Sequence, residues 1–193
     1  MRKHLTLIVV VVTALAVAAI LFSSREIAAR KVLPQGGSSS SAAPGYHLVT
    51  IAEMGISLEL PDGWIDGETN DPMQVRVFTD AAKSLNLMIF STSAAGKDFT
   101  AALAEADEQS QTAYEGQASI KVEREDPLIV AGMPGALRHR ELLAAGMHDL
   151  AAVFELSDTL FTVTLRHEDG TDPTAGDEQL LRAVAASMKA IRE

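Results

Sequence analysis

Cysteine is missing from the chain altogether. That excludes a lipid-modified cysteine, a disulfide framework and any thiolate metal site. Two chemical signatures are missing as well. No Gly-x-Ser-x-Gly elbow presents a nucleophilic serine, and no Gly-x-x-x-x-Gly-Lys loop cradles a phosphate. Aromatic residues are scarce, with a single tryptophan, Trp64. Positive charge is nowhere clustered in the body of the chain. Past residue 48 there are 25 acidic residues against 11 basic ones. A nucleic-acid partner needs clustered positive charge to displace counterions, so this balance argues against one. The same acidity repels anionic lipid headgroups and favours solubility.

What the chain does have is one uninterrupted apolar run, Leu5 to Phe22, directly behind Met1-Arg2-Lys3-His4. Only Thr6 and Thr13 interrupt it, and no charge does. A helix of that length spans roughly 27 Å at about 1.5 Å per residue, close to a bilayer's hydrocarbon core. The run lacks the apolar-polar periodicity of a buried amphipathic helix. A cleaved signal is the alternative reading. Its basic start fits, but the small-x-small triplets Ala14-Leu15-Ala16 and Ala16-Val17-Ala18 lie inside the run, and Ala28-Ala29 is followed by Arg30-Lys31. Arg25, Arg30 and Lys31 weaken the charge asymmetry across the run. The short basic tail places the N-terminus in the cytoplasm and the rest of the chain outside it.

From Ser23 to Tyr46 the composition shifts to Gly36-Gly37-Ser38-Ser39-Ser40-Ser41 and Pro44-Gly45. Such a segment buries too little apolar surface to offset its ordering entropy and reads as a tether. The expected organisation is therefore an anchor or signal segment over 1–22, a flexible Ser/Gly-rich tether over 23–46 and one domain over 47–193.

Within that domain several segments alternate with period two. Ile56, Leu58 and Leu60 share one face of a strand that Pro61-Asp62-Gly63 stops before Trp64. Gln74 to Phe78 alternates through Val75 and Val77. Leu85 to Phe90 is apolar on both faces, as in a strand covered on both sides. Asp98 is a suitable N-cap for a helix to about Gln111 with Phe99, Leu103 and Ala106 on one stripe. Ser119 to Glu125 reads as a strand punctuated by Asp126-Pro127, with Leu128–Val130 a short one before a turn at Gly132-Met133-Pro134-Gly135. Ala136–Ala144, His148–Leu156 and Leu160–Arg166 then form a hairpin meander turning at Ala145-Gly146 and Ser157-Asp158. Thr174 or Asp177 caps a last helix with Leu181, Val184, Met188 and Ile191 in a stripe. This order predicts an α+β fold, an antiparallel sheet flanked by helices, behind the N-terminal transmembrane or signal helix.

The segment Gly55-Ile56-Ser57-Leu58-Glu59-Leu60-Pro61-Asp62-Gly63-Trp64 resembles the opening of PsbP-like domains, where an amphipathic strand ends in Leu-Pro-x-Gly-Trp. The resemblance extends to bacterial DcrB-type and mycobacterial LpqN/LpqT-type envelope proteins. Asp66 after Trp64, the apolar strand before Asp98, the Gly132–Gly135 turn and the terminal helix continue it to Glu193. It implies a PsbP-like α/β/α sandwich. It implies little about activity and carries no catalytic residues over, because such a fold serves as a binding or assembly module in unrelated settings. LpqN/LpqT-type proteins carry a lipidated cysteine. Here a peptide anchor would take its place.

No catalytic, cofactor-binding or metal site is assigned from sequence. His139 and His148 lie on candidate neighbouring strands, and Glu141 or Asp149 offers an acid for zinc, but no spacing fixes a third ligand. The loops Asp66–Asp71 and Glu168–Asp172 are acidic without matching the register of a calcium-binding EF-hand loop. The expected function is a non-enzymatic, membrane-tethered domain outside the cytoplasm that binds a protein or a small envelope component without a cofactor. An envelope hydrolase or metal-dependent enzyme is the alternative, and a secretion-associated chaperone-like adaptor is a third reading. The chain is expected in the cell membrane as a single-pass protein through residues 5–22, or secreted if that segment is cleaved. The run Leu5–Phe22 should keep the protein in the membrane pellet through carbonate washing. A soluble mature chain beginning between Ala19 and Lys31 would show a cleaved signal instead.

Overall fold

A computed structural model of the chain describes residues 45–67, 76–82, 84–112, 120–143 and 145–191. The anchor and nearly all of the tether lie outside these residues. No helix among the described residues is long and apolar enough to cross a membrane.

The elements run β1 (Tyr46–Ile51), a 3₁₀ turn (Ala52–Met54), β2 (Ile56–Pro61), β3 (Ile65–Gly67), β4 (Arg76–Thr79), β5 (Leu85–Ser93), α1 (Phe99–Thr112), β6 (Ile120–Val130), β7 (Met133–Leu142), β8 (Met147–Leu156), β9 (Thr159–His167), α2 (Ala175–Ser187) and β10 (Lys189–Ala190). They build a seven-stranded sheet, β3-β4-β5-β9-β8-β7-β6, and a three-stranded sheet, β1-β2-β10. Every pairing between described strands is antiparallel. Among the described residues the domain is α+β, mostly antiparallel sheet with two helices.

Period-two alternation explains the layers. Along β8, Leu150, Ala152 and Phe154 enter the main core, while Ala151 and Val153 enter a second cluster. β9 repeats the division, with Phe161, Val163 and Leu165 on the first side and Leu160 on the second. The main core is closed by Ile56, Leu58 and Leu60 of β2 and by Leu181, Val184 and Ala185 of α2. The second cluster is closed by Phe99, Ala102, Leu103 and Ala106 of α1. Arg138, buried beneath α1, donates to Asp107 of that helix and Glu125 of β6, each at 2.7 Å. Both partners hold its positive charge in place despite the desolvation.

The caps follow the sequence. The Asp98 carboxylate accepts from the Ala101 N–H at 2.8 Å at the start of α1. Thr174 caps α2, and Asp177 completes a reciprocal capping box. Two hairpins turn on paired residues with positive φ, Ala131-Gly132 (52° and 83°) and Ser157-Asp158 (52° and 58°). Positive φ at both central residues gives the twist that suits adjacent antiparallel strands.

Several elements depart from the expected boundaries. β6 is continuous from Ile120 to Val130, so Asp126-Pro127 does not break it. Pro127 is tolerated because β6 is an edge strand, where a missing N–H need not interrupt a ladder. The turn is Ala131-Gly132, and Met133–Gly135 already belong to β7. Gly135 is required there by close approach, since a Cβ would sit 2.8 Å from the Val153 carbonyl oxygen. Ile191 does not extend the helical stripe. The helix ends at Ser187, Met188 is buried, and Lys189-Ala190 pair with Ser57 and Ile56 of β2. β1 and β3 are strands beyond those that the alternation predicts. The expected strand from Gln74 begins, among the described residues, at Arg76.

Trp64 packs against the main core from a half-buried position behind the Pro61–Gly63 turn. Its partial exposure sets the expected cost of removal. Trp64→Ala should destabilise by less than the about 3–5 kcal/mol of an enclosed aromatic, a cost that Phe154→Ala should carry in full. Denaturant melts of the two variants check this. A Trp64→Ala variant as stable as the parent would show that the residue is not structural.

Candidate functional site

The seven-stranded sheet brings the polar candidates together on its β6–β7–β8 side. His139 pairs with Leu150 and Glu141 with His148, so the two histidines are offset by one cross-strand diagonal on a common face. Both line a shallow depression of about 210 Å³, with Glu123, Arg140, Asp149, Asp172 and Pro173.

Their partners divide them. His139 Nε2 lies 3.3 Å from Glu178 Oε2 on α2. His148 Nδ1 lies 3.3 Å from Glu123, with Nε2 4.0 Å from Asp172. The acids expected to join them are engaged elsewhere. Glu141 accepts from Lys121 at 3.2 Å, and Asp149, almost wholly buried, accepts two bonds from Arg140 at 2.8 Å each. Arg140 donates a further bond to Thr164. That bidentate pair is a structural clamp between β7, β8 and β9.

Among the described residues, the group closest to a metal constellation is Asp126, His139 and Glu178, whose ligand atoms lie within 4.8 Å of one another. A cation already stands there. Arg124 donates Nε to Asp126 and Nη2 to Glu178, both at 2.7 Å. Arg182, one turn along α2, holds the other oxygen of Glu178. Partial burial raises the Glu178 pKa, but the bonds from Arg182 and Arg124 outweigh this and hold it below the usual glutamate value. The cluster fastens edge strand β6 to α2. Nothing in the sequence announces it, because Arg124 and Glu178 are 54 residues apart.

The two acidic loops do not converge on a cation among the described residues. Asp66 sits in β3 and is bound by Arg76, and residues 68–71 of that loop lie outside the described residues. Asp169 accepts from its own Thr171 N–H at 2.9 Å, while Asp172 faces His148. His47 stands 3.6 Å from Asp62.

A different kind of site lies at the tip of the β6–β7 hairpin. Ile129 is 65% exposed and Met133 46%, with exposed Pro134 opposite Ile129. Beside them, Glu155 of β8 and Asp158 of the β8–β9 turn bring acidic groups to the same end of the sheet. A clear signal was present in the sequence. Two large apolar residues flank a tight turn, a place where polar residues are usual.

No protein-family model matches the chain, and no curated protein does. Among solved structures, the chain is similar to the cyanobacterial PsbP protein CyanoP from Synechocystis sp. PCC 6803, with 18% identity over 80% of this chain and 98% of that one, at a TM-score of 0.58. It is also similar to a crystal structure from Bacteroides thetaiotaomicron VPI-5482, at 15% identity over 72% of this chain and 46% of that one, with a TM-score of 0.44. The first likeness supports a PsbP-like fold.

The pair His167–Asp177 ties the end of β9 to the start of α2 at 3.0 Å. Burial raises the Asp177 pKa, but bonds from Thr174 and His167 outweigh it and hold the carboxyl below its ordinary value of 3.8. A depressed carboxylate contributes stability above that value and loses it as pH falls through the lower folded-state pKa. Asp177→Ala should therefore lower stability by about 1–2 kcal/mol near neutral pH, through the lost cap and pair. The gap to the parent should close below pH 3.8. Thermal melts across that range check it, and a pH-independent gap would assign the loss to packing alone.

Proposed function

We propose that the protein is a membrane-tethered domain held outside the cytoplasm that binds a protein partner through the β6–β7 hairpin tip. The observation that carries this reading is the exposure of Ile129 and Met133 on a strongly acidic domain. Large apolar side chains exposed at a hairpin tip, Ile129 with Pro134 on one face and Met133 on the other, offer anchors for a partner's pockets, and acids at the same end of the sheet select a partner with basic rims. The apolar run Leu5–Phe22 supports the membrane tether. The resemblance to DcrB-type and LpqN/LpqT-type envelope proteins supports a location outside the cytoplasm. A PsbP-like fold is compatible with a binding role without requiring one.

The polar depression lends less support to an enzyme. Its histidines rest on separate carboxylates, and the position between Asp126, His139 and Glu178 is taken by Arg124. A general acid-base pair needs groups converging on one reacting atom.

Affinity capture of the full chain from detergent extract tests the proposal. Ile129→Asp combined with Met133→Asp should weaken capture of the bound protein by at least about tenfold. The melt should shift little, because exposed positions tolerate substitution to within about 0.5 kcal/mol. Unchanged capture by a folded double variant would move the binding surface elsewhere.

A further inference from the structure

Among the described strands, four edges bound the two sheets, and three are guarded. β6 carries Lys121, Glu123, Arg124, Glu125 and Asp126, contains Pro127 and shifts register between Val122 and Arg124. Charges, proline and a bulge each discourage an added strand. β3 is three residues long and β10 only two. Beyond the end of β10, the Glu59 N–H of β2 donates to Ser187 Oγ at 2.9 Å, so that side of β2 is occupied.

The fourth edge, β1, has none of these devices. Tyr46-His47-Leu48-Val49-Thr50-Ile51 contains no acid, lysine, arginine, proline or glycine. Tyr46, Val49, Thr50 and Ile51 are strong strand formers. Val49 and Ile51 face the core, while Leu48 and Thr50 are exposed on the opposite face. Its one pairing among the described strands is with β2. Alternate residues of such an edge point their N–H and C=O groups away from the sheet.

We propose that β1 is a self-association edge, where two copies of this chain pair β1 with β1, antiparallel, and join their three-stranded sheets across a two-fold axis. The strand is self-complementary. Pairing about Leu48 sets Leu48 against Leu48, Tyr46 against Thr50, and His47 against Val49. The solvent face of one copy then continues the solvent face of the other, and the core faces continue likewise. No carboxylate stands on β1, so the acidity of the domain meets no like charge directly across the new ladder. The second copy brings a strand of matching length and uncharged alternation in β1 itself. The inference does not rest on the hairpin-tip reading, which concerns the other sheet.

The absence of native cysteine makes a direct test available. In the full chain, in membranes or detergent, Leu48→Cys should form an intermolecular disulfide under mild oxidation. Directly opposed residues in an antiparallel pair lie about 4.5–5.5 Å apart at Cα, within disulfide reach. Lys121→Cys, on exposed edge β6, should form at least about tenfold less, a difference of about 1.4 kcal/mol in association. Leu48→Lys and Leu48→Glu, at a position 39% exposed, should each fold and each lose the association. Mixing the two should restore it as a heterodimer. Equal cross-linking of Leu48→Cys and Lys121→Cys, or association that survives in Leu48→Lys, would overturn the proposal.

Discussion

The central strands β8 and β9 have to be buried on both faces, and the rest of the domain follows from that. Leu150, Ala152 and Phe154 require a cover on one side, while Ala151 and Val153 require another on the opposite side. A sheet with apolar residues on both faces is stable only between two layers. The cover over Ala151 and Val153 is α1. The cover on the larger face is composite, α2 together with the small sheet. The polar fastenings serve these covers. Arg138 fixes α1 through Asp107, and Arg124 and His167 fix α2 through Glu178 and Asp177.

This arrangement explains where polarity is concentrated. The buried polar side chains on the central strands β8 and β9 are Asp149 and Thr164, and Arg140 satisfies both. The outer strand β6 has one neighbour among the described strands and carries a dense run of charge. Arg124 ties this edge to Glu178 of α2, while Glu123 reaches across to His148 of β8. At the hairpin tip the same strand becomes apolar and exposed, a change that the demands of the edge do not explain.

Local signals were legible in the sequence. The central meander, the Asp98 and Thr174 caps and the two-sided character of β5 all depend on residues within a few positions of one another. The candidate histidines do lie on neighbouring strands, but their separate partners, Glu178 and Glu123, are distant in sequence. What escaped depends on position in the assembled sheet. Pro127 looked like a breaker because nothing nearby marks β6 as an edge. Met188 and Ile191 fit a helical period until the chain leaves the helix to pair with β2. Glu178 gained its role only when α2 docked beside Arg124. The apolar run over residues 5–22 lies outside the described residues.

The small sheet places the first strands of the domain beside the last. Ile56 and Ser57 pair with Ala190 and Lys189, and the inner face of β2 is sealed by a helix made from residues 175–187. During synthesis, β1 and β2 therefore emerge long before the surface that covers them. The hairpin can form early, but Leu58 and Leu60 keep their apolar side open until the C-terminal helix has been delivered. Contacts this distant in sequence slow closure, because a long loop must be ordered before they are gained. The domain is thus locked from its C-terminal end, and the interval before that is when its nascent hairpin most needs shielding.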